Sequence, residues 1–99
     1  ISAGWTMSAV EIENILLTHV SIAEVAVIGV PDATRGQIPK AYVVIENGFK
    51  GDAELLKQYM KQRLSKHEYP RDITFVKELP KTPAGKVNRK FLRDGAVRD

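Results

Sequence analysis

Ninety-nine residues with 43% apolar and 27% charged side chains describe one small folded domain with a single core, not a disordered chain. The absence of cysteine excludes disulfides, thiolate metal sites and cysteine nucleophiles, and fits a reducing compartment without demanding one. The net charge of +3 is modest, and the longest apolar run, Val25 to Val30, is far short of the roughly 20 residues that cross a bilayer.

The opening Ile1 to Met7 has no helical period and contains Gly4, so it reads as a loop or short strand. It carries no signal-peptide pattern, and because Ile1 is not a natural initiator, upstream sequence is expected to have been removed. Ser8 and Glu11 form a capping box, in which the serine oxygen takes a free backbone N–H and the glutamate reaches back. Ile12, Ile15 and Leu16 then share one helical face, predicting a first helix over residues 9–18. Glu24 to Val30 is β-branched and apolar on both faces, with Val25 and Val27 set against Ala26, Ile28 and Val30. It reads as a central strand covered on both sides and ended by Pro31-Asp32.

Lys40 to Glu46 is a second strand, closed by the turn signal Asn47-Gly48. Asp52 caps a second helix whose Leu55, Leu56, Tyr59, Met60 and Leu64 recur at helical spacing. Ile73 to Val76 is a shorter third strand. Leu79 to Lys86, with two prolines and a glycine, must be loop or turn, and Val87 to Arg93 reads as a short strand entering a terminal helical turn. The short connection between the first two strands favours an antiparallel pair. The expected fold class is α+β: a small antiparallel sheet of about three strands flanked by helices, with a C-terminal lysine-bearing loop.

Charge gathers near the end of the chain. From Lys77 to Arg93, six basic residues (Lys77, Lys81, Lys86, Arg89, Lys90 and Arg93) face Glu78 alone, a local charge of +5, whereas residues 1–76 carry a net −1. Such a segment suits phosphate chemistry, nucleic acid or plain solubility, and charge alone does not choose. A nucleic-acid module using this charge would bind in a steeply salt-dependent way, and Phe91, the only aromatic residue within the segment, argues against a stacking platform.

The most distinctive stretch is Pro80 to Lys86, PKTPAGK. Two prolines restrict the loop and Gly85 permits backbone angles other residues avoid, so Lys86 can be presented to a partner surface as a point charge. Beside a phosphate and a carboxylate, that ammonium group would stabilise the negative charge developing during attack at phosphorus. On local chemistry alone, a solvated turn ending in an ordinary lysine is the commoner meaning of so short a motif. The stretch is not a Walker loop, because Pro80 stands where glycine is needed and Val87 where Ser or Thr is needed. His19 and His67 are in no ligand-spaced cluster and read as surface or partly packed side chains. Trp5 beside Gly4 suits either the lining of a narrow passage or the anchoring of a loop end, and Arg35-Gly36 reads as a solvated loop, with anion binding the less common alternative.

Together these segments are more specific than any one of them. ISAGWTMSAVEIEN, then AEVAVIGVPDATRGQIPKAYVV, then YPRDITFVKELPKTPAGKVNRKFLR stand in order over nearly the whole chain. In this the chain resembles the C-terminal domain of acyl-CoA synthetases, especially the medium-chain type, within the adenylate-forming superfamily. The resemblance implies that residues 1–99 are the mobile lid of an AMP-forming acid–thiol ligase whose large N-terminal domain is absent, so that the fragment alone is inactive. A small-molecule carboxylic acid would attack ATP, with Mg2+ held mainly outside this fragment, to give acyl-adenylate and pyrophosphate. Coenzyme A would then attack the adenylate, releasing acyl-CoA and AMP, with the small domain rotating between the two steps.

Residue roles follow from the same resemblance. Lys86 corresponds to the adenylation lysine at ATP. Ala3, Gly4 and Trp5 correspond to the loop bordering the pantetheine arm of CoA, and Arg35, Lys61 and Tyr69 to positions around its nucleotide end. Two departures stand out: Thr6 where relatives usually carry Arg or Lys, and Gln37 where Glu is common. The expected setting is cytoplasmic, or the mitochondrial matrix in a eukaryote, with no nucleic-acid partner and no transmembrane segment in this fragment. Alternatives are an adenylation domain that loads a carrier protein and a non-catalytic basic binding module.

Overall fold

A computed structural model describes residues 9–34, 36–64 and 69–98, with side chains as far as Gly95. The elements in chain order are α1 (Ala9–Leu17), β1 (Ile22–Asp32), β2 (Gly36–Ile45), α2 (Ala53–Lys61), β3 (Asp72–Phe75) and α3 (Arg89–Arg98). The α+β class and the three-strand sheet agree with the expectation. No helix among the described residues is long and apolar enough to cross a membrane.

The sheet order is β1-β2-β3, with β1 antiparallel and β3 parallel to β2. The sheet is therefore mixed where an antiparallel one was expected. The reason is the connection: β1 and β2 are joined by a tight loop, whereas the chain from β2 to β3 crosses over through α2, which allows parallel pairing. The strand expected to be central, β1, lies at an edge, and β2 is central. Its two-sided apolar pattern comes from layers packed on both faces. On one, Val25 and Val27 meet Ile12 and Leu16 of α1 and Leu56 and Met60 of α2. On the other, Ala26 and Ile28 meet Tyr42, Leu79 and Leu92 of α3.

β1 also continues through Pro31 and Asp32 instead of stopping there. The ladder tolerates both of its prolines for one reason. Val43 accepts from Val76 N at 2.9 Å, so odd-numbered residues of β2 turn their backbone polar groups toward β3. Pro39 therefore points its ring nitrogen to the β3 side, beyond the first pair Lys40↔Asp72, and Pro31, opposite Gln37, points its own to the open edge of β1.

Local signals account for the helix ends. Asp52 is the N-cap of α2, its Oδ1 accepting from Leu55 N at 3.1 Å. Asp52→Ala should lower stability by about 1 kcal/mol, measured as a shift in urea midpoint, with Asp52→Asn close to wild type. Ser8, the other half of the capping box proposed for α1, lies outside the described residues. The C-terminal end of α1 is tied to α2 by Thr18 Oγ1 and Tyr59 Oη, and by an edge-on contact of His19 with Tyr59 at 4.7 Å. The third helix, α3, extends well beyond the single turn anticipated, while Val87 forms only an isolated bridge to Lys81.

Candidate functional site

The stretch from Pro80 to Asn88 is a closed hairpin. Lys81 and Val87 form an antiparallel bridge. Thr82 N donates to Lys86 O at 2.7 Å, Gly85 N to Thr82 O at 2.8 Å, and Asn88 N to Pro80 O at 2.8 Å. Lys86 N adds a bond to Thr82 Oγ1 at 3.3 Å. The Thr82–Gly85 turn has its i to i+3 hydrogen bond, and no described non-glycine residue has a positive φ. That combination leaves a type I turn, for which Pro83 is pre-set at the first central position. Gly85 follows at φ +85, the left-handed residue that completes a three-residue hairpin loop.

The geometry explains why Gly85 precedes Lys86. A Cβ at Gly85 would meet nothing within 4 Å, so any penalty for a larger residue comes from the backbone angle alone. Gly85→Ala is expected to cost about 1–2 kcal/mol in chemical denaturation with an unchanged m-value, and unchanged stability would show the turn to be of another type.

Lys86 leaves this rigid tip as an exposed side chain. Of the six basic residues between Lys77 and Arg93, three form intrachain pairs: Lys81 with Glu24 at 3.1 Å, Arg89 with Glu13 at 2.6 Å and Lys90 with Asp94 at 3.7 Å. Lys77, Lys86 and Arg93 have no ion pair among the described residues. The +5 segment is thus not a continuous cationic stripe: half of its charges face carboxylates of the same chain. The arrangement presents one ammonium group, without a counter-charge of its own, on a hairpin that holds its backbone still. A second surface carrying a phosphate and a carboxylate would supply the rest of a site.

The other candidate residues lie elsewhere. Lys61 is the exposed last residue of α2. Tyr69 is 8% exposed and belongs to the core cluster on the α1–α2 face, with the Arg71 guanidinium 5.3 Å from its ring centre. The base of the Lys86 hairpin, through Leu79 and Val87, packs on the opposite face of the sheet. Lys61 and Tyr69 thus belong to one layer and the lysine hairpin to the other. Ala3, Gly4, Trp5, Thr6, Arg35 and His67 lie outside the described residues. Gln37 is exposed on β2, and His19 accepts from Ser21 N through Nδ1 at 3.1 Å. Among the described residues no three His, Asp or Glu side chains gather to hold a metal ion. A surface hollow of about 630 Å³, lined by Val44, Ile45, Phe75 and Lys77 among others, includes none of the candidate residues.

Sequence reasoning missed one constellation. Glu13, on α1 and buried, accepts from Arg89 Nη2 with Oε1 at 2.7 Å and Oε2 at 2.6 Å, and Oε2 also accepts from Val27 N at 2.8 Å. Val27 pairs with Ala41, an odd position of β2, so its N–H faces the open edge of β1. Glu13 covers that edge, and Arg89 reaches it from the start of α3. The one local signal was a carboxylate immediately after Ile12 in an apolar helix face; its partner lies 76 residues away and no spacing rule connects them.

A family model described as the AMP-binding enzyme C-terminal domain matches residues 11–86. The 4-hydroxybutyrate–CoA ligase 1 of Metallosphaera sedula is 43% identical over 95 residues, covering 93% of this chain and 17% of the relative. Among solved structures, an acyl-CoA synthetase of Brucella canis is 46% identical with a TM-score of 0.89, covering 98% of this chain and 18% of that one. The amide bond synthetase McbA of Marinactinospora thermotolerans is 32% identical with a TM-score of 0.85, covering 90% and 18%. The chain spans about 17% of the length of the curated relatives it matches.

Proposed function

The chain belongs to the AMP-binding enzyme C-terminal domain family, and from that premise we propose that it is the mobile small domain of an ATP-dependent acyl-CoA synthetase. The observation that carries this reading is Lys86, exposed and without an ion pair among the described residues, on a hairpin tip fixed by Gly85. The large domain provides the acyl pocket, most ATP contacts and the Mg2+ that accompanies ATP.

In the first step, a carboxylate oxygen of the acid attacks the α-phosphorus of ATP. The bond to the bridging oxygen breaks, pyrophosphate leaves and the acyl-adenylate forms. The ammonium group of Lys86 lies against the reacting carboxylate and phosphate and stabilises the charge that builds there. In the second step the domain turns its other face to the same centre. The CoA thiol loses its proton and attacks the acyl carbon, AMP leaves, and the thioester is made.

Ala3, Gly4 and Trp5 border the pantetheine arm, and Arg35 and Lys61 serve the phosphates of CoA. Tyr69 reaches the nucleotide end only through the small part of its ring outside the core. The placement of Lys61 and the Lys86 hairpin in different layers supports the use of two faces. We place the enzyme in the cytoplasm or the mitochondrial matrix.

The test is acceptor dependence in the full-length protein. With acid and ATP, free CoA should give acyl-CoA, AMP and pyrophosphate, and the 99-residue chain alone should give none. The amide bond synthetase relative makes the acceptor the point to challenge. AMP release with a carrier protein or an amine, but not with free CoA, would overturn the CoA-ligase reading.

A further inference from the structure

We infer that Arg89, clamped by the buried carboxylate of Glu13, is a positioning residue for Lys86; this rests on the reading of Lys86 as the adenylation lysine. The hydrogen bonds within the hairpin run between Pro80, Thr82, Gly85, Lys86 and Asn88. They fix the shape of the tip but not its direction relative to the sheet. Among the described residues, three contacts can set that direction. The first is the apolar seat of Leu79 and Leu92, which resists separation but is non-directional. The second is Lys81–Glu24, whose side chains are 40% and 43% exposed, so water and salt screen it.

The third is Arg89–Glu13, with side chains 36% and 10% exposed. One Nη2 donates to both carboxylate oxygens, at 2.7 and 2.6 Å, and Oε2 is held in turn by the backbone N–H of Val27 at 2.8 Å. Glu13 is therefore fixed to a backbone donor of the sheet, and Arg89 to Glu13 by charge-assisted bonds of short length. Between Arg89 and Lys86, Asn88 closes the hairpin through Pro80 O and caps α3 by accepting from Phe91 N at 3.0 Å. A continuous set of directional contacts thus runs from the edge of β1 to the residue that bears the ammonium group.

Without it, the hairpin and α3 are free to swing on the apolar seat while their internal bonds persist. The ammonium would shift relative to the reacting phosphate, and displacement by about 1 Å is enough to cost on the order of 100-fold in rate. The CoA step uses the other layer and should be spared. A pair that served stability alone would not distinguish the two steps.

The experiment compares Arg89→Met, Arg89→Lys and Lys86→Ala with wild type in the full-length enzyme. Two half-reactions are followed: carboxylate-dependent ATP–pyrophosphate exchange, and thioester formation from ready-made acyl-adenylate. Arg89→Met should slow exchange about 10- to 100-fold with KM for ATP and acid within about threefold, and leave thioester formation within about threefold. Arg89→Lys, which keeps the charge but loses the planar guanidinium, should fall between Arg89→Met and wild type. Equal loss in both half-reactions, or no loss in either, overturns the inference. Should Arg89→Met fail to fold, Arg89→Lys decides by the same two criteria. If Lys86→Ala leaves exchange intact, the adenylation-lysine reading fails first; if Lys86→Ala abolishes exchange and the Arg89 variants do not slow it selectively, only the positioning role falls.

Discussion

Lys86→Ala in the full-length enzyme is expected to lower carboxylate-dependent ATP–pyrophosphate exchange by about a hundredfold or more, the scale for losing a preorganised charge at a developing oxyanion. Preorganisation is what the hairpin supplies. A lysine on a mobile loop would have to order both backbone and side chain at each turnover, whereas here the backbone of Lys86 is already held by Thr82 through two hydrogen bonds, at 2.7 and 3.3 Å. With no ion pair among the described residues to neutralise it, the ammonium keeps its full attraction for an incoming phosphate. Thioester formation from supplied acyl-adenylate should stay within a few-fold of wild type, because in the proposed two-face mechanism that step presents the other layer of the domain. Lys86→Arg should recover only part of the exchange, since the larger planar cation places its charge differently from an ammonium. An unchanged exchange rate in an otherwise active Lys86→Ala enzyme would remove Lys86 from the chemistry altogether.

The residues that made this site readable are those whose chemistry is local. The turn in PKTPAGK follows from Pro83 and Gly85, and the α2 cap from Asp52, because each acts on backbone groups within three residues. The apolar faces of α1, β1 and α2 were legible for the same reason: periodicity reports burial. It does not report neighbours. Val25 to Val30 announced a strand covered on two sides, but helices over both faces produce that pattern at an edge as readily as in the centre. The parallel β3 was recoverable from the helix between the second and third strands, since a crossover of that kind permits parallel pairing. α3 was under-read because its polar sequence, RKFLRDGAVR, carries Gly95 and buries Leu92 against the sheet while Phe91 stays 65% exposed. Lys86 itself is visible as a presented cation, but the role proposed for it comes from resemblance, because the groups it would act on are proposed to lie in another domain.

The largest effect on stability should come from Glu13, whose partner no local pattern reveals. Glu13→Ala removes the acceptor of Val27 N and leaves Arg89 without its anion at a site where the carboxylate side chain is only 10% exposed. Breaking a buried pair by deleting one partner costs about 3–5 kcal/mol when the survivor is fully enclosed. Arg89 is 36% exposed and can recover some hydration, so the expected loss lies lower, at about 2–3 kcal/mol. For a domain of this size, that corresponds to a fall in Tm of roughly 10–20 °C. Glu13→Gln should cost less, because an amide oxygen can still accept from Val27 N while the charge is lost. The double variant Glu13→Ala with Arg89→Met should be more stable than the sum of the single losses implies, since the orphaned cation goes with its partner; a coupling of about 1–3 kcal/mol is expected from the cycle. Urea unfolding of all four proteins measures it. Additive losses, or a Glu13→Ala variant within about 0.5 kcal/mol of wild type, would mean that water replaces the carboxylate at the edge of β1 without penalty. The pair would then be a surface contact, not the join between the two layers of the domain.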